Sequence, residues 1–168
     1  IIASGKSVDY LNISFFSNKI TIGINQSYKK FLCNYMVRKE HVLLKEILDL
    51  NLNTTHFVTL GNCGNDYIND STNKLYDNLI KLLEKHNGVL VDHDENKYDI
   101  KELPSDNKLV VSRSTITTAI HLAAYMGAKY IILVGHDCGT LDGEPNFNGY
   151  HNDSCLLYTS DAADEHSC

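Results

Sequence analysis

Two short stretches of the sequence combine residue types that contact phosphate or move protons. Ser4-Gly5-Lys6-Ser7 joins a glycine to two hydroxyls and an amine, and Gly135-His136-Asp137 follows an apolar run near the other end. Glycine allows a ligand to approach the backbone closely, and the free N–H groups at the start of a helix attract phosphate. Both stretches therefore predict contact with a phosphorylated ligand.

The first stretch also has the ending of a P-loop, G-x-x-x-x-G-K-[ST], whose first glycine would precede Ile1. The residues before the second glycine of a P-loop wrap the phosphates, and here they include Ile1 and Ile2, which suit a buried strand better. We favour a strand, a turn and then a helix, with Ser4, Gly5 and Ser7 facing a nucleotide. Simple capping of that helix by Ser7 is the alternative.

Three further places are candidates for nucleotide contact. Asn25 and Gln26 follow a predicted strand, and their amides offer a donor and an acceptor to a base edge or a phosphate. Ser114 and Thr115 open a predicted helix, where they would hold a phosphate or act only as caps. Asp137 could accept a ribose hydroxyl or hold a divalent cation.

His151 and Asp137 are the candidate catalytic residues. His151 ends a loop rich in Gly and Asn, and its imidazole could act as a general base because it titrates near neutral pH. An exposed loop histidine without a catalytic role is the alternative. Zinc binding by His136, Cys138 and His151 is not favoured because their spacing fits no standard site, and no metal ligand is assigned.

Short apolar strands alternate with helices, and these elements must position the candidate residues. The run Tyr130–Val134 contains no charged residue and is typical of a parallel strand that is covered on both faces. The alternation predicts an α/β fold, a Rossmann-like three-layer sandwich with a mainly parallel sheet. The strands are predicted at 1–3, 19–24, 35–38, 55–60, 89–91, 109–111 and 130–134, and the helices at 72–86 and from 114 or 115 to Gly127, with weak helical character at 7–16.

Composition restricts the class of protein. The 168 residues suit one domain, and 43% hydrophobic residues with a net charge of -6 are ordinary for a soluble globular protein. Without a basic cluster, binding to a nucleic-acid backbone is disfavoured, and no apolar run approaches the roughly 18 residues of a membrane span. The five scattered cysteines are typical of reduced thiols, which predicts a cytoplasmic location.

The two ends of the chain carry a separate expectation. The chain begins without Met inside a predicted strand, and residues 155–165 resemble the conceptual translation of a sequencing-library adapter. We expect residues 1–154 to be a fragment of a single nucleotide-binding α/β domain, truncated at both ends, and residues 155–168 to be a non-native tail. A genuine C-terminal tail is the alternative.

The order of the motifs resembles the 6-hydroxymethylpterin diphosphokinase MptE-like family. That family includes bacterial motility accessory factors and shares a layout with the bacterial CMP-sialic acid transferases. Its G-x-G-P-S-L opening is similar to residues 3–8, although Ala3 and Lys6 replace the first glycine and the proline. Asn25-Gln26 with Tyr28 is similar to the sialyltransferase version. The last segment carries the strongest match, at Ser114, Thr115, Gly127, Gly135 and Asp137.

The resemblance implies a nucleotide-dependent transferase that binds its donor at the carboxyl ends of the strands and serves an acceptor that it does not identify. The pterin version implies diphosphate transfer from ATP with Mg²⁺, and the sialyltransferase version implies sugar transfer from a CMP-activated nonulosonate with no essential metal. The catalytic His of the sialyltransferases lies farther downstream than His151. Ala3, Lys6 and the weak acidic match Glu40 also leave open a non-catalytic nucleotide-binding module.

Overall fold

The centre of the fold is a four-stranded parallel sheet whose strands lie side by side in chain order. The computed structural model describes residues 1–38, 54–59, 81, 83–86, 88–91, 93–94, 109–110 and 114–150. Each neighbouring pair is parallel, with Gly23 opposite Met36, Phe57 opposite Val37, and Val89 opposite Phe57. The four strands are β1 (Ile22–Ile24), β2 (Tyr35–Arg38), β3 (Thr55–Thr59) and β4 (Gly88–Val91).

Two extended segments continue the sheet beyond β1. Ile2 forms a parallel bridge with Gly23 on one side and a second parallel bridge with Val134 on the other. Backbone hydrogen bonds accompany both bridges, from Ile2 N to Ile22 O at 2.8 Å and from Val134 N to Ile1 O at 2.9 Å. Residues 1–3 therefore lie between β1, which follows them directly in the chain, and the segment at Val134, more than a hundred residues later. The order of the strands reverses at this position.

One face of the sheet is covered by α1 (Thr115–Tyr125), which contacts β1, β2 and the short strand at residues 109–110. Strand β6 (Leu109–Val110) pairs in parallel with β5 (His93–Asp94) as a separate two-stranded sheet. Side chains alternate between the faces of a strand, so Ile22, Ile24 and Val37 point towards the helix. They form the larger core with Ala3, Val91, Leu109, Ile116, Ala119, Leu122 and Ala123.

The opposite face is covered by short 3-10 helices at Lys6–Tyr10, Ile13–Phe16 and Ser27–Lys29. The predicted weak helix at 7–16 is thus two 3-10 turns, because the Asn12 side chain accepts a hydrogen bond from Ser14 N at 2.9 Å and begins a new turn there. A second core fills this side and contains Ile2, Val8, Tyr28, Phe31, Cys33, Met36 and Phe147.

The predicted α/β fold is confirmed at the level of a parallel sheet with a packed helix. Strand β2 has the predicted bounds, whereas β1 begins at Ile22 rather than at residue 19. Of the predicted helix at 72–86, residues 81 and 83–85 are helical and His86 lies in a turn, while residues 72–80 and 82 lie outside the described residues. No helix in the described part of the chain is both long and apolar enough to cross a membrane.

The prediction that Tyr130–Val134 is covered on both faces is wrong. Tyr130 is 80% exposed, Ile132 is 53% exposed, and only Val134 forms a β-bridge. The segment lies at the outer edge of the described sheet: residues 1–3 occupy one side of its backbone, and no described segment pairs with the other side. Among the described residues, this apolar run therefore lies at an edge of the sheet rather than at its centre.

Candidate functional site

Three of the predicted ligand loops leave the sheet at the same edge. The segments that precede Ser4, Asn25 and Gly135 are neighbours and run parallel, so their carboxyl ends lie side by side. Open parallel sheets bind ligands at this edge, in the crevice that forms where the strand order reverses. Here the reversal lies between residues 1–3 and 132–134, so the loops from Ser4 and Gly135 flank it.

That crevice is closed by contacts between the two loops. The Ser7 N–H donates to Asp137 Oδ2 at 2.7 Å, and the Ser7 hydroxyl donates to Asp137 Oδ1. The Gly5 N–H donates to the Gly135 carbonyl at 2.7 Å. The Asp137 carboxylate therefore sits where the sequence predicts a nucleotide phosphate, and it uses the two donors of Ser7 that the phosphate would need.

Gly5 and Gly135 are both required for this close approach. A Cβ on Gly5 would lie 2.5 Å from Asp137 Oδ2 and 2.5 Å from the Gly135 carbonyl oxygen. Gly135 has φ +70, and a Cβ there would lie 2.3 Å from a methyl group of Val8. The two glycines thus allow a close contact between two loops of the protein. From the sequence alone, such a contact cannot be distinguished from a contact with a ligand.

Lys6 is held in an ion-pair cluster beside the crevice. Its Nζ donates to Asp9 Oδ2 at 3.0 Å and to Asn148 Oδ1 at 2.8 Å, and Lys30 Nζ lies 2.6 Å from Asp9 Oδ1. Burial opposes ionisation of Asp9, but hydrogen bonds from Lys30, the Asn148 N–H and Lys6 outweigh it and hold its pKa at about 2. A P-loop lysine reaches the phosphates, so this arrangement does not fit the P-loop alternative.

The loop from 138 to 150 lies across the Ser4–Asp9 segment. Phe147 is buried in the second core, and its N–H donates to the Ser4 carbonyl at 3.0 Å. Asn146 forms an antiparallel bridge with Gly5, and the Asn148 N–H donates to Asp9 Oδ2 at 2.9 Å. This loop, rich in Gly and Asn, is therefore packed against the candidate site at several points.

A basic and aromatic cluster lies at the ends of β1 and β2. Asn25 has φ +52, a left-handed conformation that Asn tolerates better than most residues, and its carbonyl accepts a hydrogen bond from Arg38 Nη2. The Arg38 guanidinium carbon lies 5.2 Å from the centre of the Tyr28 ring. Gln26 is buried, and its side-chain oxygen accepts from Lys29 Nζ at 3.0 Å.

Arg38 was missed by sequence reasoning. The available signal was the charged residue that ends the apolar strand YMVR, because Asn25 directly follows β1, the strand that pairs with it. Arg38 is only 3% exposed, and its charge also acts on the neighbouring strand. Burial, followed by repulsion from Arg38 and His86, lowers the pKa of His56 to about 4, so His56 is neutral at physiological pH.

Ser114 and Thr115 lie on the other face of the sheet from the 3-10 helices. Ser114 has the extended backbone of an N-cap residue, but its side chain makes no capping hydrogen bond. Among the described residues, no hydrogen bond connects Ser114 or Thr115 to Ser7, Asn25 or Asp137. The structure thus brings the loops of Ser4–Ser7 and Gly135–Asp137 into contact, and no hydrogen bond among the described residues joins the start of α1 to them.

The catalytic pair predicted from the sequence is described only in part. Asp137 is held by Ser7, while His151 and Glu40 lie outside the described residues. Within the described ranges, no group of three His, Cys, Asp or Glu side chains is arranged to hold a metal ion. Each Asp137 oxygen accepts one hydrogen bond from Ser7.

Comparisons with protein-family models, with curated proteins and with solved structures each give no match to this chain. What the described residues define is a class of architecture: an α/β domain built on a parallel sheet, with polar loops gathered at the carboxyl ends of its strands.

Proposed function

We propose that this chain is a nucleotide-dependent transferase of the MptE-like superfamily with a Rossmann-like fold, and that it binds a nucleotide donor at the carboxyl ends of the strands. The observation that supports the proposal is the double parallel pairing of Ile2, with Gly23 on one side and Val134 on the other. This pairing gathers the loops of Ser4, Asn25 and Gly135 at the reversal of strand order, which is the usual ligand position in such sheets.

Within this site, the donor phosphate is proposed to lie beside Asn25 and Arg38 rather than against Ser7. The two donors of Ser7 bond to Asp137, and the buried Arg38 guanidinium, which donates to the Asn25 carbonyl, places a positive charge beside Asn25 at the same edge of the sheet. Arg38 is the last residue of β2, and Asn25 directly follows β1, the neighbouring strand. The Asn25 amide is then placed to contact the sugar or the base.

The transfer step has the same outline for either donor. An acceptor hydroxyl attacks the donor, its proton passes to a general base, for which His151 is the candidate, and the nucleoside monophosphate leaves. That product is AMP when a diphosphate is transferred from ATP, and CMP when a sugar is transferred. In this scheme Asp137 is a positioning residue that fixes the Ser7 loop, and the Asn25-Gln26 pair with Tyr28 favours the CMP-nonulosonate donor.

A non-catalytic nucleotide-binding module is the second candidate, and the Ser7–Asp137 contact favours it. In a working transferase, the crevice at the strand reversal would be open to a donor, whereas here two loops bond directly across it. The module would bind a nucleotide beside Asn25 and release it unchanged.

Ligand-induced thermal shifts test the binding proposal. We expect CMP or CTP without Mg²⁺ to raise the melting temperature more than ATP with Mg²⁺. Asn25→Gly is the informative variant, because glycine keeps the left-handed backbone and removes only the amide. This variant should abolish the shift in melting temperature. Lys19→Ala, at an exposed lysine away from the carboxyl ends of the strands, should retain it. The absence of a shift with all three nucleotides would refute both candidates, and product formation from CMP-activated or ATP donors separates them.

A further inference from the structure

The turn at Asn148 and Gly149 places an amide side chain next to an unhindered backbone nitrogen. Both residues are exposed, and the Tyr150 N–H donates to the Phe147 carbonyl at 3.2 Å to close the turn. Gly149 has φ +94, and a Cβ placed on it would meet no atom within 4 Å. Among the described residues, the Gly149 N–H donates to no acceptor. The backbone nitrogen of Gly149 can therefore approach the Asn148 side chain.

The side-chain carbonyl of Asn148 is polarised by a buried cation. Lys6 is 7% exposed, and its Nζ donates to Asn148 Oδ1 at 2.8 Å. The Asn148 N–H donates to Asp9 Oδ2 at 2.9 Å, which fixes the backbone that carries this side chain. The hydrogen bond to Asp9 raises the pKa of Lys6, so its ammonium stays charged at mildly alkaline pH. A donor aimed at a carbonyl oxygen stabilises the negative charge that develops there when a nucleophile attacks the carbonyl carbon.

We propose that Asn148 is a site of spontaneous deamidation, in which the Gly149 nitrogen attacks the Asn148 side chain and Lys6 stabilises the oxyanion at Oδ1. The Gly149 amide gives its proton to water or hydroxide, and its nitrogen forms a bond to Asn148 Cγ. The bond between Cγ and the side-chain nitrogen then breaks, and that nitrogen takes up a proton and leaves as ammonia. A succinimide ring remains, and water opens it, so water is the only co-reactant.

Lys6 also influences which product the ring gives. Attack by water at Cγ restores the ordinary main chain with an aspartate side chain, whereas attack at the backbone carbonyl carbon gives isoaspartate. The Lys6 ammonium polarises the carbonyl at Cγ, so ring opening should favour aspartate. The new carboxylate gives Lys6 a charged partner besides Asp9, which Lys6 shares with Lys30. The loop across the candidate site thereby changes its charge with time.

A second Asn-Gly pair in the chain provides an internal control. The two pairs are residues 87–88 and 148–149. Gly88 is the first residue of β4 and lies opposite His56 in the sheet, and a Cβ on it would lie 2.4 Å from Leu83 Cδ2. Sheet pairing and close packing hold Gly88 in place, so its nitrogen cannot move towards the preceding side chain. The pair at 87–88 should therefore stay intact while the protein is folded.

Peptide mapping by mass spectrometry of the 168-residue chain, incubated at mildly alkaline pH, tests the proposal. We expect conversion of amide to acid at residue 148 and none at residue 87, whereas the urea-unfolded chain should convert at both. Lys6→Met should slow the conversion at residue 148 about tenfold in the folded chain, because a hydrogen bond from a charged group is lost. Lys30→Met, which removes the other lysine paired with Asp9, is the matched control and should react at the unmodified rate.

The ratio of aspartate to isoaspartate at residue 148 provides a second readout that needs no substitution. This ratio should be higher in the folded chain than in urea, where Lys6 no longer contacts the carbonyl. Conversion at Asn148 only in urea, or conversion at residue 87 that keeps pace with it in the folded chain, would overturn the proposal. An unchanged rate in folded Lys6→Met, or the same product ratio with and without urea, would also overturn it.

Discussion

The carboxylate of Asp137 accepts hydrogen bonds from both the backbone N–H and the hydroxyl of Ser7, although 130 residues separate the two in the chain. The contact joins the loop after the first extended segment to the loop after the last one. An ionised acceptor makes such bonds stronger than neutral ones, and both loops are also fixed by the bond from the Gly5 N–H to the Gly135 carbonyl. The Ser7–Asp137 contact therefore acts as a lock: it holds the two loops together at the position where the strand order reverses.

A double-mutant cycle on Ser7 and Asp137 should measure that lock. Ser7→Ala removes one of the two hydrogen bonds, and Asp137→Ala removes both, so the second change should lower the free energy of unfolding more. Hydrogen bonds to charged groups are worth about 1.5–3 kcal/mol, and we expect a coupling in that range. Urea unfolding checks it, with Ser14→Ala at an exposed serine as the control. Additive effects of the two substitutions would contradict the lock.

Gly5→Ala should destabilise the protein by about 2 kcal/mol or more, because the new methyl group would overlap the Asp137 carboxylate and the Gly135 carbonyl. Gly139→Ala is the matched control, since its Cβ would come no closer than 4.0 Å to the carbonyl of Asp137. Thermal unfolding of both variants makes the comparison. Equal melting temperatures would show that the two loops are not in contact in solution.

Stability should fall as the pH is lowered from about 6.5 to about 4, because His56 is buried in its neutral form. Its pKa is about 4 in the folded protein and 6.5 when exposed, so the unfolded chain binds the proton first on acidification. The full difference corresponds to about 3 kcal/mol. His56→Leu should flatten the pH dependence within this window when urea unfolding is followed at several pH values. A His56 imidazole that titrates near 6.5 by NMR would contradict the burial.

Lys30→Met should raise the pKa of Asp9 towards its ordinary value of 3.8. The folded-state pKa of Asp9 is depressed, so its contribution to stability is present above about pH 4 and is lost as the pH falls towards 2. Without the Lys30 ammonium, acid unfolding should begin at a higher pH. Lys19→Met, which removes an exposed lysine elsewhere, should leave the acid transition in place. NMR titration of the Asp9 carboxyl gives the direct measurement.

The parallel sheet could be predicted from the sequence, but the position of residues 130–134 at its edge could not. Helix–strand alternation predicted parallel strands, and Tyr35–Arg38 came out with the same bounds, because local apolar pattern determines where a strand forms. The same pattern gave a wrong prediction for residues 130–134, because an uncharged run of five residues can form either a central strand or an edge strand. Only the pairing partners decide between these positions, and they are distant in the chain.

The candidate site was predictable only as a set of loops. Parallel pairing placed Ser4, Asn25 and Gly135 at one edge, as their positions after strands suggested. The bond between Ser7 and Asp137 was not predictable, because two residues that each suit a phosphate can equally suit each other. Arg38 was not predicted as a site residue because its contact with Asn25 depends on the pairing of two strands, which a single arginine in the sequence does not indicate.

The position of residues 1–3 also affects how the chain is made. Residues 1–3 leave the ribosome before β1, yet one of their two neighbours in the sheet, at Val134, is synthesised more than a hundred residues later. Ile2 is almost fully enclosed in the folded protein, so a nascent chain must keep its side chain from premature association until residue 134 has been synthesised. Pairings so distant in sequence slow folding and give chaperones time to act. The strands β1 and β2 should therefore become ordered before residues 1–3 pair with the segment at Val134.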